Sequence, residues 1–208
     1  MAWYRQRSAL LLFAWLLAVL AAGCRERPPQ LRPLSESATV LAFGDSLTYG
    51  TGADRNESYP VRLEQLIRRP VINAGIPGEV TGEGLARLPE LLERYRPALL
   101  ILCHGGNDLL RRSDEAQAAE NLRAMIRLAR EWGVDVVLLG VPKPDLSFSP
   151  PVFYASIARE FAIPYDGDTL AGILSDRSSK SDYIHPNALG YQRLATAVHR
   201  LLRSARAL

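Results

Sequence analysis

The chain has 208 residues, 48% of them hydrophobic and 23% charged, which suits one globular domain with a sizeable core and an extra segment at one end. Its formal net charge is +3, and residues 1–23 carry Arg5 and Arg7 but no acid, so their removal leaves +1. A chain so nearly balanced has no global electrostatic pull towards nucleic acid, and two cysteines, Cys24 and Cys103, build neither a disulfide framework nor a cysteine-ligated metal site.

Residues 1–7 are short and basic, and residues 8–23 are almost purely apolar and end in small side chains. That run is shorter than the roughly 20 residues that span a bilayer, so it reads as an export signal. Leu20-Ala21-Ala22-Gly23-Cys24 resembles a bacterial lipobox, with Ala21 where leucine is more frequent. The resemblance implies cleavage before Cys24 and acylation of Cys24 on its thiol and its new amino terminus. With Arg25 rather than aspartate following, it also implies sorting to the outer membrane. A cut by ordinary signal peptidase at the same small residues is the alternative, and it gives a soluble periplasmic or secreted protein. Residues 24–38, rich in proline and charge, read as a tether that reaches roughly 40 Å at about 3 Å per residue. The chain thus divides into a signal (1–23), a lipidated cysteine with a flexible tether (24–38) and a working domain (39–208).

Within the domain, residues 39–43 form a short apolar run that predicts a buried strand. A helix over 59–68 follows, with Pro60 in its first turn, then a strand over 71–73. Residues 81–95 place Leu85, Leu88, Leu91 and Leu92 on one helical face. Residues 98–103 are a third strand. The apolar stripe Ala119, Leu122, Ile126 and Ala129 marks a helix over 115–132 that Gly133 ends. A strand over 134–141, a helix over 152–161, a weak strand over 163–165 and a helix over 187–202 complete the series. Strands that alternate with helices imply a parallel sheet covered on both faces, with ligands beyond the carboxyl ends of the strands.

Polar clusters follow three of these strands and precede the last helix: Gly44-Asp45-Ser46-Leu47-Thr48-Tyr49-Gly50, Asn73-Ala74-Gly75-Ile76-Pro77-Gly78-Glu79, His104-Gly105-Gly106-Asn107-Asp108 and Asp182-Tyr183-Ile184-His185-Pro186. All would fall on one edge of a parallel sheet. A serine hydroxyl attacks an acyl carbonyl only when a base accepts its proton, and the base works best when a third group orients it. His185 can be that base, with Asp182 three residues earlier fixing its tautomer. The tetrahedral oxyanion needs donors, which the N–H groups of Ser46 and Gly78 and the Asn107 amide can supply.

These blocks resemble the GDSL esterases, or SGNH hydrolases, in the family's order and over nearly the whole mature chain. Ser46 lies in the serine block, Gly78 matches the glycine block with Gly75 as the alternative, Asn107 lies in GGND, and Asp182 and His185 lie in DYIHP. The stretch GEGLARLPELL also resembles the thioesterase, arylesterase and lysophospholipase branch. The resemblance implies a three-layer α/β/α fold around a flavodoxin-like sheet of five parallel strands. It also implies hydrolysis of ester or thioester bonds, with no metal or cofactor.

Other polar residues read as supporting. Asp45 is expected to accept backbone hydrogen bonds, Asp108 to be structural, and Cys103 to be a buried small hydrophobe. His104 is read as a strand-end residue lining or supporting the site, and His199 as a surface or packing residue. The nucleophile elbow G-x-S-x-G is absent around Ser46, and the three histidines have no metal-ligand spacing. Loops 142–151 and 167–181 are expected to set substrate choice, with Leu146 and Phe148 as apolar contacts for an acyl chain. A carbohydrate O-acetyl esterase and a non-catalytic envelope lipoprotein are the competing functions, and a monomer is the default state.

Overall fold

The computed structural model describes residues 29–145 and 147–208. The export signal, Cys24 and Leu146 lie outside these residues. Five parallel strands form one sheet: β1 (Val40–Gly44), β2 (Val71–Gly75), β3 (Leu99–Cys103), β4 (Asp135–Leu139) and β5 (Tyr165–Asp166), in the order β2-β1-β3-β4-β5. Every residue of β1 and β3 is buried, which is why both strands are continuous apolar runs rather than alternating ones.

Eight α-helices are formed by the described residues: α1 (Ser46–Tyr49), α2 (Tyr59–Ile67), α3 (Thr81–Tyr95), α4 (Gly106–Leu110), α5 (Glu115–Glu131), α6 (Val152–Glu160), α7 (Thr169–Ser175) and α8 (Ala188–Ser204). Helices α2 and α8 pack together on one face of the sheet, and α3, α5 and α6 pack on the other. This is the three-layer architecture expected, and β1 stands where the strand order reverses. Ser46 therefore opens at the topological switch point, between the loops that follow β2 and β3.

The structure differs from the sequence-based expectation in three places. Residues 163–165 do not form the fifth strand as a unit. The Ile163 N–H closes the end of α6 on the Ala158 carbonyl and Pro164 has no N–H, so the ladder begins at Tyr165. Helix α7 lies inside the expected loop 167–181 and buries Leu170, Ile173 and Leu174. The tether is also shorter than expected. The Leu31 N–H donates to the Ala205 carbonyl and the Leu34 N–H to the Ala207 carbonyl, each at 2.9 Å, and Leu34 is buried in the core. The Arg32 guanidinium and N–H bind Asp135 at the first residue of β4, and Arg69 donates to the Leu34 and Ser35 carbonyls. Residues 31–38 thus form a strap under the N-terminal ends of the strands. No helix among the described residues is long and apolar enough to cross a membrane.

Candidate active site

Strand β1 ends at Gly44, and the chain turns at once into α1. The cap of that turn is Asp45, whose Oδ1 accepts the Leu47 N–H at 3.0 Å while its Oδ2 accepts the Gly106 N–H at 3.2 Å. Asp45 is 1% exposed, and burial raises its carboxyl above the ordinary range. It ties the β1 turn to the β3 turn, as its expected backbone role requires. Because Asp45 caps the helix, Ser46 is left with its hydroxyl free to face the cleft.

The Ser46 Oγ lies 3.0 Å from His185 Nε2, and His185 Nδ1 lies 2.8 Å from Asp182 Oδ2. The other Asp182 oxygen accepts the N–H groups of Ile184 and His185, each at 2.8 Å. This turn presents the imidazole with Nδ1–H on the carboxylate and the Nε2 lone pair towards the serine. Burial raises the Asp182 carboxyl, but the bonds from the His185 ring and the two backbone donors outweigh it and hold the group below the ordinary range. Ser46, Asp182 and His185, 139 residues apart at the extremes, are thus brought into one chain of hydrogen bonds.

Gly78 lies in the loop after β2 with φ of 83°, the left-handed region that a side chain resists. Its carbonyl accepts from Arg111 at 2.8 Å. Among the described residues, neither the Gly78 N–H nor the Ser46 N–H finds an acceptor. The Asn107 amide uses one hydrogen on the Glu79 carbonyl at 2.9 Å and keeps the other. The loops after β1, β2 and β3 thus carry three donors without acceptors among the described residues: two backbone N–H groups and one pinned side-chain amide, of which Ser46 and Asn107 line one cleft.

Glu79, which sequence reasoning did not single out, is the hub behind these donors. It is 5% exposed, and its carboxylate takes the Arg87 guanidinium and the His104 Nε2–H, the latter at 3.0 Å. His104 is fully buried, and its Nδ1 accepts the Gly105 N–H at 2.9 Å, which leaves Nε2 as the donor to Glu79. His104 supports the site and does not line it. Gly84 makes this contact possible, because a Cβ there would come within 2.4 Å of His104 Nε2. The stretch holding Gly84 and Arg87 attracted notice in the sequence, but nothing in it pointed to a partner across two loops. Asp108 is structural as expected, accepting the Thr81 N–H at 2.9 Å and its hydroxyl at 2.7 Å.

Burial pushes the Glu79 carboxyl up, but the hydrogen bonds from His104 and Arg87 outweigh it and hold the group below the ordinary carboxylate range. A depressed folded-state value stabilises the fold above the unfolded carboxyl value, and that contribution is lost as pH falls through the folded value. Glu79→Gln is therefore expected to lower stability by about 1–3 kcal/mol at neutral pH and to flatten the loss on acidification. Thermal melts of both proteins from neutral to acid pH check this. Parallel melting curves across the whole range would contradict it.

A narrow cleft runs from the serine and is lined by Ser46, Asn107, Leu110, Val141, Phe148 and Leu174. Phe148 is one of the two contacts expected for an acyl chain. It holds a φ of 45°, which an aromatic residue adopts only under strain, and its ring packs 5.4 Å from the ring of Tyr183. The Lys180 amine sits 5.0 Å from the Phe148 ring and 5.5 Å from the Tyr183 ring, with one hydrogen bond of 2.7 Å to the Leu174 carbonyl.

The model of the GDSL-like lipase/acylhydrolase family matches residues 42–193, from β1 into α8. The chain is 32% identical over 191 residues to the esterase TesA of Pseudomonas aeruginosa, covering 85% of this chain and 93% of that one. It is 30% identical over 159 residues to the thioesterase 1/protease 1/lysophospholipase L1 of Escherichia coli, covering 72% and 76%. A crystal structure of TesA superposes with a TM-score of 0.72 at 31% identity, covering 80% of this chain and 99% of the other.

Proposed function

The chain belongs to the GDSL-like lipase/acylhydrolase family and is a serine hydrolase of esters, and from that premise we propose that Ser46 is its nucleophile, with His185 as base and Asp182 as the group that orients the base. The observation that carries this is the continuous chain Ser46 Oγ, His185 Nε2, His185 Nδ1, Asp182 Oδ2 at 3.0 and 2.8 Å. As Oγ attacks the acyl carbonyl, its proton passes to Nε2, and the imidazolium that forms is stabilised by Asp182. The carbonyl oxygen becomes an oxyanion and takes hydrogen bonds from the Ser46 and Gly78 N–H groups and the free hydrogen of the Asn107 amide. Collapse expels the alcohol, which takes the proton from Nε2. Water then attacks the acyl-enzyme with His185 as base again, giving the carboxylic acid and free Ser46.

The apolar walls of the cleft favour an acyl group of several carbons, with aryl esters and lysophospholipids as substrate classes and thioesters as an incidental one. The chain is exported by residues 1–23, lipidated on Cys24 and held on the periplasmic side of an outer membrane as a monomer.

Hydrolysis of p-nitrophenyl esters across acyl lengths, with fluorophosphonate labelling alongside, tests this reading. The expected result is a single labelled serine and an optimum above the acetyl ester. An optimum at acetyl would move the substrate to acetylated glycans. A folded protein that neither turns over any ester nor takes the label would sink the assignment.

A further inference from the structure

Each helix that follows a strand runs back antiparallel to it, so the C-terminal ends of α2, α3, α5, α6 and α8 gather at the edge of the sheet opposite Ser46. That edge is rich in arginine. Arg68 and Arg96 are the left-handed caps of α2 and α3, Arg130, Arg159 and Arg203 stand in the last turns of α5, α6 and α8, and Arg206 follows α8. All six are exposed, and among the described residues none has a carboxylate within salt-bridge distance. The acids on this edge are fewer or already engaged. Asp135 is held by Arg32, Glu160 by Arg123, and Glu64 turns onto the Val71 N–H, leaving Glu36, Glu93 and Glu131. Complementing helix dipoles explains one cation near each helix end.

It does not explain a second, independent feature, which is where the N-terminus arrives. The strap of residues 31–38 is fastened to this same edge, through Leu31 on Ala205, Leu34 on Ala207 and Arg32 on Asp135. Six residues lie between Cys24 and Leu31, and even fully extended the seven steps span at most about 25 Å. The arginine edge is thus the part of the domain that the N-terminal anchor holds nearest to a bilayer.

We propose that this edge is a docking surface for anionic phospholipid headgroups, and that it seats the domain with its cleft turned away from the bilayer its N-terminus enters. The proposal rests on the envelope location given above for its setting, while the docking is a property of the domain itself. Guanidinium groups suit the task, since each forms paired hydrogen bonds with phosphate oxygens. Seated in this way, the enzyme meets esters that diffuse to it through the aqueous phase, and esters embedded in its own bilayer lie on the far side of the domain.

The test uses residues 25–208, which contain the whole core, and vesicles of phosphatidylcholine with or without about 30% phosphatidylglycerol. Salt-sensitive co-sedimentation with the anionic vesicles is the expected result. The triple variant Arg68→Glu/Arg96→Glu/Arg203→Glu should lower vesicle partitioning by roughly 100-fold. The variant Arg55→Glu/Arg112→Glu/Arg177→Glu, which makes the same charge change on exposed residues of the cleft side, should keep most of the binding. Both variants should hydrolyse a soluble aryl ester like the parent, which shows that they are folded. Equal losses in the two variants, or no preference for anionic vesicles in the parent, would overturn the proposal. Labelling of the full chain with radioactive palmitate, against Cys24→Ala, decides the anchor separately.

Discussion

Ser46→Ala is expected to lower kcat/KM for an aryl ester on the order of 10⁴-fold or more, and to abolish both the acyl-enzyme burst and fluorophosphonate labelling. The loss is large because, among the described residues, Ser46 is the hydroxyl hydrogen-bonded to His185 Nε2, while the oxyanion donors left behind support only slow attack by water. The fold should not notice the change. The side chain that caps α1 is Asp45, through its bond to the Leu47 N–H, so removing the Ser46 hydroxyl uncaps nothing. A melting temperature close to that of the parent, together with lost turnover, identifies a nucleophile. Activity retained above about a tenth of the parent would show that the acyl group is carried elsewhere.

Asp182→Asn is expected to cost roughly 10²–10⁴ in kcat, and to be at least as damaging as Asp182→Ala. Two backbone N–H groups hold one oxygen of this carboxylate and the imidazole Nδ1–H holds the other. An asparagine that keeps its single oxygen on the backbone donors must turn its NH₂ towards Nδ1. The ring then accepts at Nδ1 and carries its proton on Nε2, so it faces Ser46 with a donor where a lone pair is needed. Alanine removes the orienting group without imposing the wrong tautomer, and since the Asp182 side chain is 53% exposed, water can take its place. Comparing kcat for the three proteins, with melting curves, checks the argument. An asparagine variant clearly more active than the alanine variant would show that Asp182 works through shape alone.

The strands were legible because a sheet covered on both faces demands continuous apolar runs, and Leu99–Cys103 has no alternative use. The blocks around Ser46 and Asn107 were legible for a related reason. Glycine and polar residues placed directly after such runs have no role in a core. What escaped was whatever depends on a partner distant in sequence. Leu31 and Leu34 sit among prolines and arginines with no helical or strand period, and only the carbonyls of Ala205 and Ala207 make the segment a strap. Helix α7 is too short to display a period, although Leu170, Ile173 and Leu174 mark one face. Glu79 looks like a surface acid beside a glycine until Arg87 arrives from α3 and His104 from the turn after β3.

The contact between Phe148 and Tyr183 joins the wall of the cleft to the loop that carries Asp182 and His185. Phe148 stands in the wall of the acyl cleft, while Tyr183 immediately follows Asp182 and lies two residues before His185, and Lys180 lies over both rings. On the proposed reading, an acyl chain that reaches Phe148 also bears on the loop that carries the proposed base. Acyl length is then expected to change kcat as well as KM, because contacts made far from the carbonyl can be converted into alignment at the carbonyl.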